Sequence, residues 1–195
     1  MATLFVDKID PQSGTSLEIG SSGDTISKGS GVVSRLGVFE SQLLHVRDEK
    51  GQDTNGGQNS AGVNTRTLNT VKTNEITGAS LSSNQITLPA GTYYIEATAP
   101  SYRADRHVGY LYNTTDSSIT IQGIPAFGDD TNGTVSSFSL MTGRFTISAQ
   151  KVFEFRHWIQ TVGTFGFGLS SAQPGTSNVT GIISIYTDVK IWRTA

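Results

Sequence analysis

The clearest pattern along the chain is an alternation of apolar and polar residues with a period of two. It runs through residues 92–98, 107–113, 144–160 and 181–192, and clusters of glycine, proline, asparagine and serine lie between these runs. A period of two is typical of β-strands with one buried face, and such clusters are typical of turns. No stretch shows the period of an amphipathic helix. The pattern therefore predicts many short antiparallel strands, arranged as a sandwich or a barrel.

The same alternation predicts which side chains face the core and which do not. We expect the inward residues to be Tyr93, Ile95, Ala97, Phe145, Ile147, Ala149, Phe153, Phe155, Ile159, Ile183, Ile185, Val189 and Ile191. Several strands also carry large apolar residues on the opposite face, although a sandwich core absorbs only one face of each strand. Either loops or another subunit cover this second face. We prefer a subunit interface, with Tyr110, Trp158 and Tyr186 as its candidate residues.

The composition of the chain changes near residue 35. Residues 1–35 are rich in glycine and poor in apolar residues, whereas residues 36–195 carry the large apolar side chains. The first segment has too few apolar residues to form a core of its own, and an extended segment of this kind can add strands to a partner. We predict an extended amino-terminal arm at 1–35 and one domain at 36–195. The apolar residues that would anchor the arm are Val6, Ile9, Leu17, Ile19 and Ile26.

Composition and charge exclude several classes of function. Glycine, serine and threonine make up 70 of the 195 residues, charged residues make up 15%, and the net charge is −2. With this net charge the chain lacks the excess of basic residues that nucleic-acid binding needs. No segment has the ~20 apolar residues of a membrane span. The absence of cysteine excludes disulfides, thiol nucleophiles and zinc–thiolate sites. We therefore expect neither nucleic acid nor a membrane as a partner.

Candidate chemistry along the chain is sparse. The three histidines, His45, His107 and His157, are not part of a recognisable nucleophile motif, and no GxSxG elbow is present. We expect no enzymatic activity and no cofactor. The segment GDDTNGT offers Asp129, Asp130 and Asn132 as oxygen ligands for calcium. No acidic residue follows at the spacing of a calcium loop, so ordinary turn chemistry is the preferred interpretation.

Four segments carry a resemblance to a known family. They are LLHVRDEKGQDTNGGQNSAGVNTRTLNTVKTNEITGASLSSNQITLPAGTYYIEATAP, YRADRHVGYLYNTTD, GRFTISAQKVFEFRHW and YTDVKIW. Together they resemble the jelly-roll domain at the carboxy-terminal end of many bacteriophage virion proteins. That domain is related in shape to tumour necrosis factor-like and complement-type globular heads, which form tight trimers. The resemblance covers roughly residues 40–195 and implies an all-β antiparallel jelly roll.

The resemblance also implies a role. It implies a homotrimeric structural protein on the exterior of the phage particle, either a capsid decoration or cement protein or a short head fibre. The arm would then attach the trimer to the major capsid protein or to another virion protein. The alternative is a tail fibre or tail adaptor whose loops at 48–64, 123–136 and 170–181 bind a host-surface glycan. A cell-surface recognition domain also fits the fold, but the chain lacks the export signal expected for it.

Overall fold

The structure is a computed structural model, and it describes residues 42–129, 135–170 and 181–194. These residues form twelve β-strands and no α-helix, so the all-β prediction is confirmed for the described part of the chain. The strands are β1 (Gln42–Lys50), β2 (Gly62–Thr65), β3 (Thr70–Asn74), β4 (Ser80–Ser82), β5 (Gln85–Leu88), β6 (Gly91–Tyr102), β7 (Asp105–Asn113), β8 (Ser118–Gln122), β9 (Ala126–Gly128), β10 (Ser136–Ile147), β11 (Lys151–Ile159) and β12 (Ser184–Arg193).

The strands form two antiparallel sheets that pack face to face. The first sheet has the order β10-β6-β12-β1-β3, and the second has the order β4-β5-β11-β7-β8. In addition, β2 pairs with β11 and β9 pairs with β7. Strands that follow each other in the chain often belong to different sheets, as β10 and β11 do. The chain therefore crosses repeatedly between the sheets, which is the connectivity of a jelly roll.

The core lies between the two sheets and is built from the inward residues of both. The side chains of Tyr93, Phe145 and Phe153 form an aromatic ladder across it, with ring centroids 5.5 Å and 5.6 Å apart. The Tyr93 hydroxyl donates a hydrogen bond to Pro89 O at 2.7 Å, so its polar end is satisfied. The fully buried aliphatic side chains are Leu44, Val46, Ile86, Leu88, Ile95, Leu111, Ile159, Val189 and Ile191.

Three residues that alternation placed in the core are exposed. Ala149 lies in the turn after β10, which ends at Ile147. Ile183 and Ile185 are also exposed, although Val189 and Ile191 are buried as predicted. The reason is a bulge, because the register between β1 and β12 shifts between Arg47 and Glu49 and leaves one extra residue in β12. A bulge reverses the in–out phase of the residues beyond it, so Ile185 faces outward.

The described residues all belong to one compact unit, whose limits are residues 40 and 195. The predicted boundary at residue 35 lies outside the described residues, as does the predicted arm with Val6, Ile9, Leu17, Ile19 and Ile26. The division into arm and domain stays a prediction. The described residues form no helix that could span a membrane.

Candidate interaction surface

The outer face of the first sheet carries an apolar groove at one end. On β10, Ser139 and Met141 point into the core, so Phe138 and Leu140 point outward, with 56% and 48% of their surface exposed. Phe138 also lines a groove of about 290 Å³ with Leu169 and Ile185, which are exposed as well. Contiguous exposed apolar side chains on a folded domain are typical of a surface that binds a partner.

A paired row of charges crosses the middle of the same face. Asp188 on β12 accepts hydrogen bonds from His45 Nε2 at 2.5 Å and from Arg47 Nε at 3.0 Å, both on β1. Glu49 lies 3.5 Å from Arg47 and 3.3 Å from Lys72, measured between the charged atoms. Burial opposes ionisation of Asp188, but the hydrogen bonds from His45 and Arg47 outweigh it and lower the pKa of this carboxyl. The charges are therefore neutralised within the sheet.

The far end of this face is apolar again. The rings of Tyr94 on β6 and Trp192 on β12 are 6.0 Å apart, and the ladder places Leu43 of β1 opposite Trp192. The outer face of the first sheet thus has two apolar ends and a charged middle, part of which is paired within the sheet. Interfaces between proteins combine apolar contact with satisfied polar groups in this way.

The three residues predicted for a subunit interface do not form one surface. Tyr110 on β7 and Trp158 on β11 belong to the second sheet, whereas Tyr186 on β12 belongs to the first. Tyr186 is only 2% exposed, and its hydroxyl donates to Thr54 O at 2.6 Å, so its contacts lie within the chain. Tyr110 is also buried within the chain, and Trp158 is exposed. Their assignment to an interface stays a prediction, and the geometry favours the outer face of the first sheet.

The candidate calcium ligands are described only in part. Asp129 follows β9, whereas Asp130 and Asn132 lie outside the described residues. Among the described residues, no group of three or more histidine, aspartate or glutamate side chains is arranged to hold a metal ion. The preference for turn chemistry in this segment stays a prediction.

A buried chain of two histidines and a serine connects three strands. His107 Nδ1 on β7 lies 2.9 Å from His157 Nε2 on β11, and His107 Nε2 lies 2.7 Å from Ser137 Oγ on β10. His157 is fully buried, and its Nδ1 has no hydrogen-bond partner among the described residues. Burial lowers the pKa of His107 to about 4 and that of His157 to about 2, and the charge of Arg66 acts in the same direction. Both rings are therefore neutral at pH 7.

The unpartnered Nδ1 of His157 indicates which ring nitrogen of each histidine carries the proton. A buried N–H without an acceptor is rarer in proteins than an unused lone pair, so the proton of His157 is placed on Nε2. His157 then donates to His107, and His107 donates to Ser137. In this arrangement His107 offers Ser137 no lone pair, so it does not act as the base that a serine nucleophile needs. The arrangement supports a structural role in which the pair links β7, β10 and β11.

Comparison with known proteins extends to structure but not to sequence. No model of a known protein family matches the chain, and no curated protein matches it. Murine APRIL, solved at pH 5.0, superimposes with a TM-score of 0.50 and 7% identity, over 79% of this chain and 99% of APRIL. The globular domain of the zebrafish complement 1qA protein gives a TM-score of 0.44 and 14% identity, over 80% of this chain and 98% of that domain.

The fold is a tumour necrosis factor-like jelly roll. The jelly-roll prediction is thus confirmed, and at these identities the likeness shows the fold alone. Within the jelly roll, sequence reasoning missed Phe138 and Leu140, which alternate with inward residues in the segment SSFSLM. That alternation is a signal for a strand, but the adjacent Met141 obscures it. It also missed Arg66, which is fully buried, because its neighbours in the segment NTRTLNT are polar.

Proposed function

We propose that this chain is a homotrimeric structural protein of a bacteriophage virion, carried on the outside of the particle as a decoration, cement or short head-fibre protein. The resemblance of four sequence segments to virion proteins supports this role, and the jelly-roll fold agrees with it. The observation that carries the trimer is the outer face of the first sheet, where Phe138, Leu140 and Ile185 are exposed together. A single copy of the domain leaves this apolar surface in water.

In the proposed assembly, three copies bury the outer faces of their first sheets around a common axis. The three amino-terminal arms then contact the major capsid protein or another virion protein. Three linked contacts give a far higher avidity than one, because the second and third binding events are intramolecular. The trimer would act mechanically, by connecting neighbouring shell subunits from outside.

The mass of the protein in solution tests the trimer. We expect light scattering at micromolar concentration to give three times the mass of the 20.8 kDa chain. The substitutions Phe138→Asp and Leu140→Asp place charges on the outer face and should produce monomers. The matched control is Ile119→Asp, an exposed aliphatic residue on β8 of the second sheet, which should stay trimeric. A monomeric wild type, or trimers that persist in both outer-face variants, would contradict the proposal.

Attachment to the particle tests the role. Deletion of residues 2–30 should leave the trimer folded but unable to join virions that lack their own copy of the protein. Attachment of the truncated trimer at the normal level would show that the arm is not the anchor. Copy number separates the two phage roles, because a decoration protein occupies sites over the whole shell. Presence in only a few copies per particle would favour the tail fibre or tail adaptor instead.

A further inference from the structure

A second cavity, which shares no lining residue with the apolar groove, lies between the β6–β7 turn and the segment after β11. It has a volume of about 350 Å³ and is lined by Tyr102, Arg103, Val162, Gly163, Thr164 and Phe165. A volume of this size is within the range of ~300–1,000 Å³ typical of small-molecule sites. The cavity is open to solvent and does not include any residue of the buried histidine pair.

The walls of this cavity combine apolar and hydrogen-bonding groups. Phe165 is 41% exposed and Val162 is also exposed, so neither side chain is needed for the core. Tyr102 adds a second aromatic ring, while Arg103 and Thr164 add a guanidinium group and a hydroxyl. The cavity thus exposes large apolar side chains to solvent beside hydrogen-bond donors. Such a lining fits a ligand that has one apolar face and a polar edge.

The segment that forms one wall is fixed by buried polar contacts. Asn59 is almost completely buried, its Nδ2 donates to Thr161 O at 2.8 Å, and its Oδ1 accepts from Gly163 N at 2.9 Å. The buried Arg66 donates from Nη2 to Phe167 O at 3.2 Å and stacks on the Phe167 ring at 4.2 Å. The cavity is therefore preformed, and a ligand would not have to order this segment.

The turn that forms the other wall holds strained backbone. Arg103 has φ +51° and Asp105 has φ +54°, in the left-handed region that residues other than glycine rarely adopt. The Asp105 carboxylate accepts a hydrogen bond from Thr161 Oγ1 at 2.8 Å, which joins this turn to the opposite wall. Strain of this kind persists where the surrounding structure enforces it, and it is concentrated at ligand sites. Here it sets the position of the Arg103 backbone at the cavity.

We propose that this cavity binds a pyranose sugar. A pyranose ring has a flat C–H face, which matches the Phe165 and Tyr102 rings, and a rim of hydroxyl groups, which matches the hydrogen-bonding groups of Arg103 and Thr164. Arginine has five N–H donors and no acceptor, so it suits paired hydroxyls or the carboxylate of a uronic acid. The cavity differs from the three loops to which the tail alternative assigned glycan contacts. The inference does not depend on the trimer or on a virion role.

Binding of free sugars to the intact protein tests the proposal. The probes are glucose, galactose, N-acetylglucosamine and glucuronic acid, each followed by saturation-transfer NMR and titration calorimetry. We expect saturation of the ring C–H protons of at least one probe. Phe165→Ala should weaken that binding about tenfold or more, since the stacking surface is lost. The control Phe127→Ala removes an exposed ring on β9 that does not line the cavity, and it should leave binding unchanged.

A second variant tests the guanidinium with a residue that the backbone of the turn tolerates. Arg103→Asn removes the donors and keeps a residue that adopts positive φ, and a melting curve of the variant reports whether the fold needs the other contacts of Arg103. We expect binding to fall at least about tenfold, most strongly for glucuronic acid. If no probe binds at millimolar concentration, or if Phe165→Ala and Phe127→Ala bind equally well, the proposal is wrong. A trimer that decorates virions but binds no sugar would overturn only this inference.

Discussion

Acidification from pH 7 to pH 5.5 is expected to destabilise the fold through His107 and His157. In the unfolded chain both imidazoles have a pKa near 6.5 and gain a proton across this range. In the folded chain burial holds their pKa values at about 4 and about 2, so both stay neutral. The unfolded state therefore binds more protons as the pH falls. The stability that the neutral pair contributes is complete above pH 6.5 and is lost progressively below it.

The size of the loss follows from proton linkage. With a pKa of 6.5 in the unfolded chain and about 4 in the folded chain, His107 contributes a loss of about 1 kcal/mol between pH 7 and pH 5.5. His157 contributes about the same, because both folded pKa values lie below this window. The pair together accounts for about 2 kcal/mol, a substantial part of the ~5–15 kcal/mol stability of a typical domain.

Urea denaturation at the two pH values, followed by tryptophan fluorescence at one fixed protein concentration, measures this loss. The substitution His157→Gln keeps an amide group near the position of Nε2 and removes one titrating ring. The pH-dependent loss of stability should then be smaller than in wild type by about 1 kcal/mol. The control His45→Gln, on the outer face of the first sheet, leaves the buried pair and its contribution in place. An equal pH dependence in wild type and His157→Gln would refute the reasoning.

Two further substitutions test the contacts that fix the loops. A Cβ atom on Gly166 would lie 1.5 Å from Asn59 Oδ1, so Gly166→Ala should cost about 1–3 kcal/mol, whereas Gly51→Ala, whose Cβ meets nothing closer than 3.5 Å, should be nearly neutral. Arg66→Met should cost about 2–3 kcal/mol, because Phe167 O and two other buried acceptors lose their donor. Urea denaturation checks both, and a loss in Gly51→Ala as large as in Gly166→Ala, or an unchanged stability in Arg66→Met, would contradict them.

Alternation predicted the strands correctly where their pairing is regular. Tyr93, Ile95 and Ala97 on β6 are buried, as are Phe153 and Phe155 on β11, because an uninterrupted strand keeps its in–out phase. The prediction was wrong at the start of β12, where the bulge opposite β1 reverses the phase. The position of that bulge depends on the register between two strands that are distant in sequence, so neither strand reveals it alone.

The first half of β10 was missed for a different reason. The segment from Ser136 to Gly143 carries Phe138 and Leu140 on one face and Met141 on the other, so adjacent apolar residues obscure the alternation. This strand lies at one edge of the first sheet, and its inward residues include the small polar Ser139 as well as Met141. The exposed apolar side chains of β10 lie on a strand that the interface prediction did not include, and that prediction stays untested.

The buried polar contacts could not have been predicted from the sequence. His107 and His157 are 50 residues apart, and they meet because the antiparallel register places Ile159 opposite His107 and Gly109 opposite His157. That register is set by the whole length of β7 and β11. Arg66 likewise finds its acceptors in three different parts of the chain. The residues next to these side chains in the sequence do not indicate either contact.

The charged row on the first sheet bears directly on whether a second copy can cover that face. Burying an unpaired charge is costly, so isolated charges between two apolar patches would prevent a continuous interface. Here Asp188 already accepts hydrogen bonds from His45 and Arg47, and the three side chains are only 12–24% exposed in the isolated chain. Folding has thus already removed most of the water around these three side chains, so an interface over them would remove little more. The apolar ends and this paired row are therefore compatible with an interface on the outer face of the first sheet.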